Sequence, residues 1–251
     1  PGHPKILQVR DEMKSFMDEL DPLLESVERV YWAGGEPLIT KEHYNILDKW
    51  IAMDKRDVSM DYTTNFTQMY YKKKTAFDYW NKFENVRVAG SLDANHARGE
   101  YLRKNMVWSE VVQNRRTMIE QCPHVYFELT PTVSVYNVLN LPDVHKEWIE
   151  EGLLEPANIR INILLDPTYM RLSILPPWIK SKVAERYHEH IAYLKQFEDI
   201  AGVINDYESI LNFMEKDRTD EIKMFKFKTQ RIDNLRHENL LDVFPELEGI
   251  W

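Results

Sequence analysis

Val30-Tyr31-Trp32-Ala33-Gly34-Gly35-Glu36-Pro37-Leu38 joins an apolar run that reads as a buried strand to two glycines, a carboxylate and a proline. Adjacent glycines permit backbone conformations and close approaches that a side chain blocks, and Pro37 fixes the direction of exit. Thr40 stands where it can cap a following helix. The stretch predicts a loop at the carboxyl end of a strand with Glu36 at its tip, where open α/β sheets and barrels put their sites.

Outward from this loop, strands and helices alternate. Residues 27–32, 58–63, 86–92, 125–135 and 159–165 read as strands, the last apolar enough for burial on both faces. Residues 41–53, 68–82, 107–121 and 141–150 read as helices between them. Ahead of the first strand, Ile6, Val9, Met13, Phe16, Met17 and Leu20 recur at helical spacing and predict a helix over 5–20. The alternation implies a parallel sheet, and right-handed crossovers curl it into a partial or full (β/α) barrel with all carboxyl ends on one rim. After Asp166 only helices are expected, from Pro176-Pro177 to about 196, over 201–216 and over 220–236. The expected organisation is α/β: a partial TIM-like barrel of parallel strands over residues 1–170, with a helical C-terminal extension over 171–251 packed on it.

The chain has 251 residues and a net charge of −9, without a sustained basic stripe, which argues against nucleic acid or an anionic membrane as the main partner. The basic cluster Lys72-Lys73-Lys74 reads as a solvated helix face. No run approaches the roughly 18 apolar residues of a membrane span and no signal peptide opens the chain, so a cytoplasmic location is expected. The one cysteine, Cys122, can form no internal disulfide and cannot alone hold zinc or an iron–sulfur cluster. The histidines are dispersed: His188 and His190 face different directions on one helix, and of the rest only His96 lies near the rim, so no metal ligands are assigned.

With strands so placed, Glu36, Thr64, Asn65, Ser91, Asp93, Thr132, Ser134, Asn137, Asn162 and Asp166 are expected to share the rim. Singly each is a weak signal, and Asn65, Ser91, Asp93, Asn137 and Asp166 also read as ordinary turn, capping or local backbone-bonding residues. Together, over an apolar barrel, they are the layout of a small-molecule site.

The ordered motifs resemble a known family. Gly34-Gly35-Glu36-Pro37 is similar to the GGEP motif of radical S-adenosylmethionine enzymes, whose backbone and glutamate hold the amino group of the cofactor's methionine. Tyr62-Thr63-Thr64-Asn65 resembles that family's third-strand ending and Gly90-Ser91-Leu92-Asp93-Ala94 its fourth. Gly99-Glu100-Tyr101-Leu102-Arg103 with Trp108 resembles its EYxR...W segment, and Thr132-Val133-Ser134-Val135-Tyr136-Asn137 its adenosine-contacting fifth-strand region. Residues 225–244, with Asp233, Arg236 and Phe244-Pro245-Glu246-Leu247, resemble the C-terminal end of the twitch-domain group.

The resemblance implies that Gly34, Gly35, Glu36, Pro37, Thr64, Asn65, Ser91, Asp93, Arg103, Ser134 and Asn137 bind S-adenosylmethionine. Glu36 would accept the ammonium and Arg103 would hold the carboxylate, unless Arg103 simply pairs with Glu100. Ser91, Asp93 and Asn137 suit ribose or methionine, and backbone around residues 133–135 would flank adenine. The family also implies a four-iron, four-sulfur cluster on a CxxxCxxC loop, an electron donor, and hydrogen abstraction from a substrate, here an unidentified peptide or small metabolite. This chain lacks that loop, so the expectation is a core whose first strand and cluster lie upstream in a parent protein. Two other readings stay open: a cluster-free module binding a nucleotide-like metabolite or a partner, and a hydrolase pairing Glu36 with Asp93 or Glu128.

Overall fold

The computed structural model describes residues 17–251. The helix expected over 5–20 lies mostly outside the described residues, and 17–20 are helical. The strands are β1 (Arg29–Trp32), β2 (Ser59–Thr64), β3 (Tyr70–Tyr71), β4 (Lys74–Thr75), β5 (Val86–Gly90), β6 (Tyr126–Leu129), β7 (Thr132–Val133) and β8 (Asn162–Ile163). The helices are α1 (Lys41–Ala52), α2 (Ala76–Trp80), α3 (His96–Leu102), α4 (Trp108–Gln121), α5 (Leu141–Glu150), α6 (Pro177–Leu194), α7 (Ala201–Met214), α8 (Ile222–Arg236) and α9 (Leu240–Val243).

β1, β2, β5 and β6 form one parallel sheet in that order, with Tyr31, Asp61, Arg87 and Tyr126 side by side across it. Strand alternation sends Met60, Tyr62, Val86, Val88, Phe127 and Leu129 into the core beneath the helices. There Tyr62 meets His43 of α1 and Trp80 of α2, and Phe127 stacks on Trp148 of α5. The opposite face is concave and carries Tyr31, Asp61, Thr63, Arg87 and Glu128.

The expected strand over 125–135 is two pieces. Pro131 has no N–H for the ladder and divides β6 from β7. Residues 158–164 run beside them all the same, through Leu129 N–H to Asn158 O at 2.9 Å, Arg160 N–H to Leu129 O at 2.8 Å, Asn162 N–H to Pro131 O at 2.9 Å and Leu164 N–H to Val133 O at 3.0 Å. The result is a curved open parallel sheet, and the described residues do not close it into a barrel. β8 is also not buried on both faces, since Asn162 is exposed.

The helix expected over 68–82 is mostly an antiparallel ribbon. Lys72 takes a left-handed conformation, φ 56°, which turns β3 back onto β4 before Thr75 caps the short α2 by accepting from Asp78 N–H at 3.1 Å. Buried Met69, Ala76, Phe77 and Trp80 are spaced as on a helix, and the sequence pattern cannot show the turn between them. Lys72 and Lys73 are therefore the exposed tip of a turn rather than a helix face, while Lys74 pairs with Asp48 and lies over the Tyr44 and Tyr79 rings.

Beyond β8 the chain is helices and short turns, and α8 ties this tail to the sheet end. Buried Asp233 accepts from Tyr101 O–H of α3 at 2.7 Å and from Leu240 N–H at 2.9 Å, while Arg236 donates to Tyr101 O at 3.0 Å. Among the described residues no helix is long and apolar enough to cross a membrane.

Candidate functional site

The loop after β1 holds Glu36 at the carboxyl end of the sheet. Gly34 has φ 101°, a conformation L side chains rarely adopt, whereas a Cβ at Gly35 would meet no protein atom within 4 Å. Glu36 Oε1 accepts from Thr64 Oγ1 at 2.7 Å and from Leu38 N–H at 3.4 Å, and Oε2 accepts from Asn65 N–H at 2.9 Å. Glu36 thereby caps the short turn Pro37–Ile39, in which Pro37 occupies the first position. Thr40 does precede α1, but its hydroxyl donates back to Pro37 O at 2.9 Å instead of capping the helix. The Asn65 side-chain oxygen is engaged locally, accepting from Thr67 N–H and Oγ1, while its backbone N–H reaches Glu36.

A second polar group lies at the ends of β5 and β7. Asp93 Oδ2 accepts from Arg103 Nε at 3.1 Å and Nη2 at 2.9 Å, while Oδ1 accepts from Thr132 N–H at 2.8 Å. Buried Asn137 donates through Nδ2 to Asp93 O at 2.7 Å and Thr132 O at 3.1 Å, and its Oδ1 accepts from Ser134 N–H at 2.8 Å and Oγ at 3.3 Å. Both amide hydrogens are used, so Asn137 braces the two loops against each other. Arg103 does not pair with Glu100: Glu100 Oε1 accepts from Trp108 N–H at 2.8 Å, which knits the EYxR...W segment together. Gly99 is needed in that segment because a Cβ there would stand 2.6 Å from Ala94 O.

Ser91 N–H donates to Thr64 O at 2.8 Å and joins the two groups along one rim. Gly34, Gly35, Glu36, Pro37, Thr64 and Asn65 form its first part, and Ser91, Asp93, Arg103, Ser134 and Asn137 its second. Each carboxylate has its own donors, with no hydrogen bond between Glu36 and Asp93. Glu128 sits apart, on the concave face 3.9 Å from Arg160. Arg103 gives two of its five N–H groups to Asp93, leaving others for an anion. Outside the rim, Cys122 is buried with its thiol on Phe77 O and its pKa pushed up to about 11 by burial. His96 Nε2 stands 3.0 Å from Glu147. Among the described residues no three His, Cys, Asp or Glu gather as a metal site.

The concave face corrects the expectation of an apolar barrel. It encloses about 700 Å³ and is lined by Arg29, Asp61, Arg87, Glu128 and Arg160 in strand order, with Ser91 at its upper edge. The charges alternate in sign across five neighbouring segments. Sequence reasoning passed over this row, although a signal existed: each predicted strand carries a charged residue two positions from a small or polar one, as in Asp61 and Thr63 or Arg87 and Ala89.

No family model matches the chain, and no curated protein matches it. Among solved structures, the crystal structure of Streptococcus suis SuiB bound to S-adenosylmethionine is similar, with a TM-score of 0.50 and 15% identity over 72% of this chain. The match covers 39% of the SuiB chain. At that identity the likeness concerns the fold alone.

Proposed function

We propose that the rim binds S-adenosylmethionine and that residues 1–170 belong to a radical S-adenosylmethionine enzyme core, with residues 171–251 as its helical extension. The observation that carries this reading is the Glu36 carboxylate, fixed by Thr64, Leu38 and Asn65 beside Gly35, where a side chain would fill open space. A carboxylate accepts an ammonium, an open glycine admits a ligand close to backbone, and Arg103 has N–H groups left for a carboxylate. The donor set thus fits the two ends of methionine. Ser91, Asp93, Ser134 and Asn137 shape the part of the rim assigned to the nucleoside, with Asn137 as a brace rather than a direct contact.

Held there and given one electron, the cofactor would supply hydrogen-abstracting radical chemistry to a substrate. The substrate is assigned to the concave face, which adjoins the rim at Ser91. The iron–sulfur cluster that such cleavage requires does not fit the residues here, because Cys122 is the one cysteine and is buried against Phe77. Cluster, electron donor and any twitch element are therefore assigned to the parent protein, and this chain's own part is to bind and orient.

Equilibrium titration of the chain with S-adenosylmethionine tests the reading. Saturable binding is expected, weakened about tenfold or more in Glu36→Gln and Arg103→Gln, since charge-assisted hydrogen bonds contribute about 1.5–3 kcal/mol. Absence of saturable binding, or affinity in both variants equal to that of the unsubstituted chain, overturns it.

A further inference from the structure

The interior of a (β/α) barrel is ordinarily filled by packed branched apolar side chains. Here the concave face instead presents three guanidiniums and two carboxylates to an open space of about 700 Å³, in a chain whose net charge is −9. The three arginines are not equivalent. Arg29 donates to Asp61 Oδ2 at 2.7 Å and is neutralised by it. Arg87 stands 3.8 Å from Asp61 Oδ1 and Arg160 stands 3.9 Å from Glu128, beyond hydrogen-bond reach, and neither donates a side-chain hydrogen bond among the described residues. Their side chains are 54% and 69% exposed, and both residues line the concavity.

Arg87 is nevertheless held in place. Its guanidinium carbon lies over the Tyr126 ring, 4.6 Å from the centroid, a cation–π contact that restrains the side chain without using a hydrogen bond. Asp61 and Glu128 stand in ion-pair range of these forks but too far for the close, two-point contact of a paired guanidinium and carboxylate. We propose that Arg87 and Arg160 are the recognition groups of this face and that the molecule it takes carries an oxyanion, a carboxylate or a phosphate. This rests on the proposed cofactor rim only in calling that molecule the enzyme's substrate. The same locally positive concavity draws anions towards it against the overall charge of the chain.

The test is a titration of the chain with inorganic phosphate and, separately, with glutarate, following the Nε–H signals of the arginine side chains by nuclear magnetic resonance. Saturable shifts are expected at Arg87 and Arg160 and not at Arg56, which is paired with Asp54 and bound to Ile51 O. Arg87→Gln and Arg160→Gln should each weaken binding about tenfold or more, while Arg56→Gln should leave it unchanged. Whichever probe saturates at lower concentration identifies the oxyanion. Shifts that never saturate, that appear equally at Arg56, or that saturate with undiminished affinity in both variants overturn the proposal. A parallel titration with S-adenosylmethionine separates the two readings: cofactor binding without an oxyanion response sinks this inference alone, and the reverse sinks the rim assignment alone.

Discussion

Replacing Gly35 by alanine separates a ligand-approach glycine from a conformational one, with Gly34→Ala as its counterpart. At Gly35 a Cβ meets no protein atom within 4 Å and the backbone is not left-handed, so the folded state loses almost nothing. The unfolded chain loses freedom, which should stabilise the protein by about 0.4–1 kcal/mol. For a chain of this size that is a rise in Tm of roughly 1–4 °C. At Gly34 the φ of 101° forces strain on any side chain, and alanine should cost on the order of 1–3 kcal/mol and lower Tm by several degrees. If the open space beside Gly35 is where the cofactor approaches, the alanine methyl group should also weaken S-adenosylmethionine binding by roughly 5- to 150-fold, the equivalent of about 1–3 kcal/mol of overpacking. Thermal unfolding and equilibrium binding on the same two variants give the answer. A Gly35→Ala protein that is more stable yet binds as tightly as the parent refutes the role of Gly35, and one destabilised as much as Gly34→Ala refutes the loop geometry.

Asn137→Ala should destabilise by about 2–4 kcal/mol in urea unfolding, because it strands Asp93 O, Thr132 O and Ser134 N–H in a buried site. Asp233→Asn should cost about 1–3 kcal/mol and also lower cofactor affinity, since Tyr101 lies two residues before Arg103, whereas a purely local role predicts unchanged affinity. Burial holds His43 at about 3, His145 at about 4 and His190 at about 3, against an ordinary value near 6.5, with neighbouring charge on His145 and Lys146 adding to the depression at His190. The unfolded chain then binds more protons below pH 6.5, so stability is full above that value and falls as pH drops towards 4, by roughly 1.4 kcal/mol per histidine after the first unit. Urea midpoints that stay level between about pH 7 and pH 5 would contradict this.

The alternation of strands and helices was legible because each buried strand and amphipathic helix carries its own period, as α1 and α5 show. Breaks within an apolar run were not. Pro131 interrupts 125–135 without ending its pairing to residues 158–164, and the Lys72 turn hides between residues spaced as on a helix. At the rim the residue types were readable from the sequence, but their partners were not: Arg103 faces Asp93 rather than Glu100, and Asn137 spends its whole amide on the protein. The charged concave face was missed because inward and helix-facing positions alternate in every strand, and register decides which set is which.

The claim that the rim holds S-adenosylmethionine is tested most directly by mapping backbone amide shifts during titration of the chain with that cofactor. The account predicts saturable shifts concentrated at Gly35, Asn65, Ser91 and Ser134, all on one binding curve and all suppressed in Glu36→Gln. Shifts confined to residues away from the strand ends, or no saturable shift at all, would contradict it.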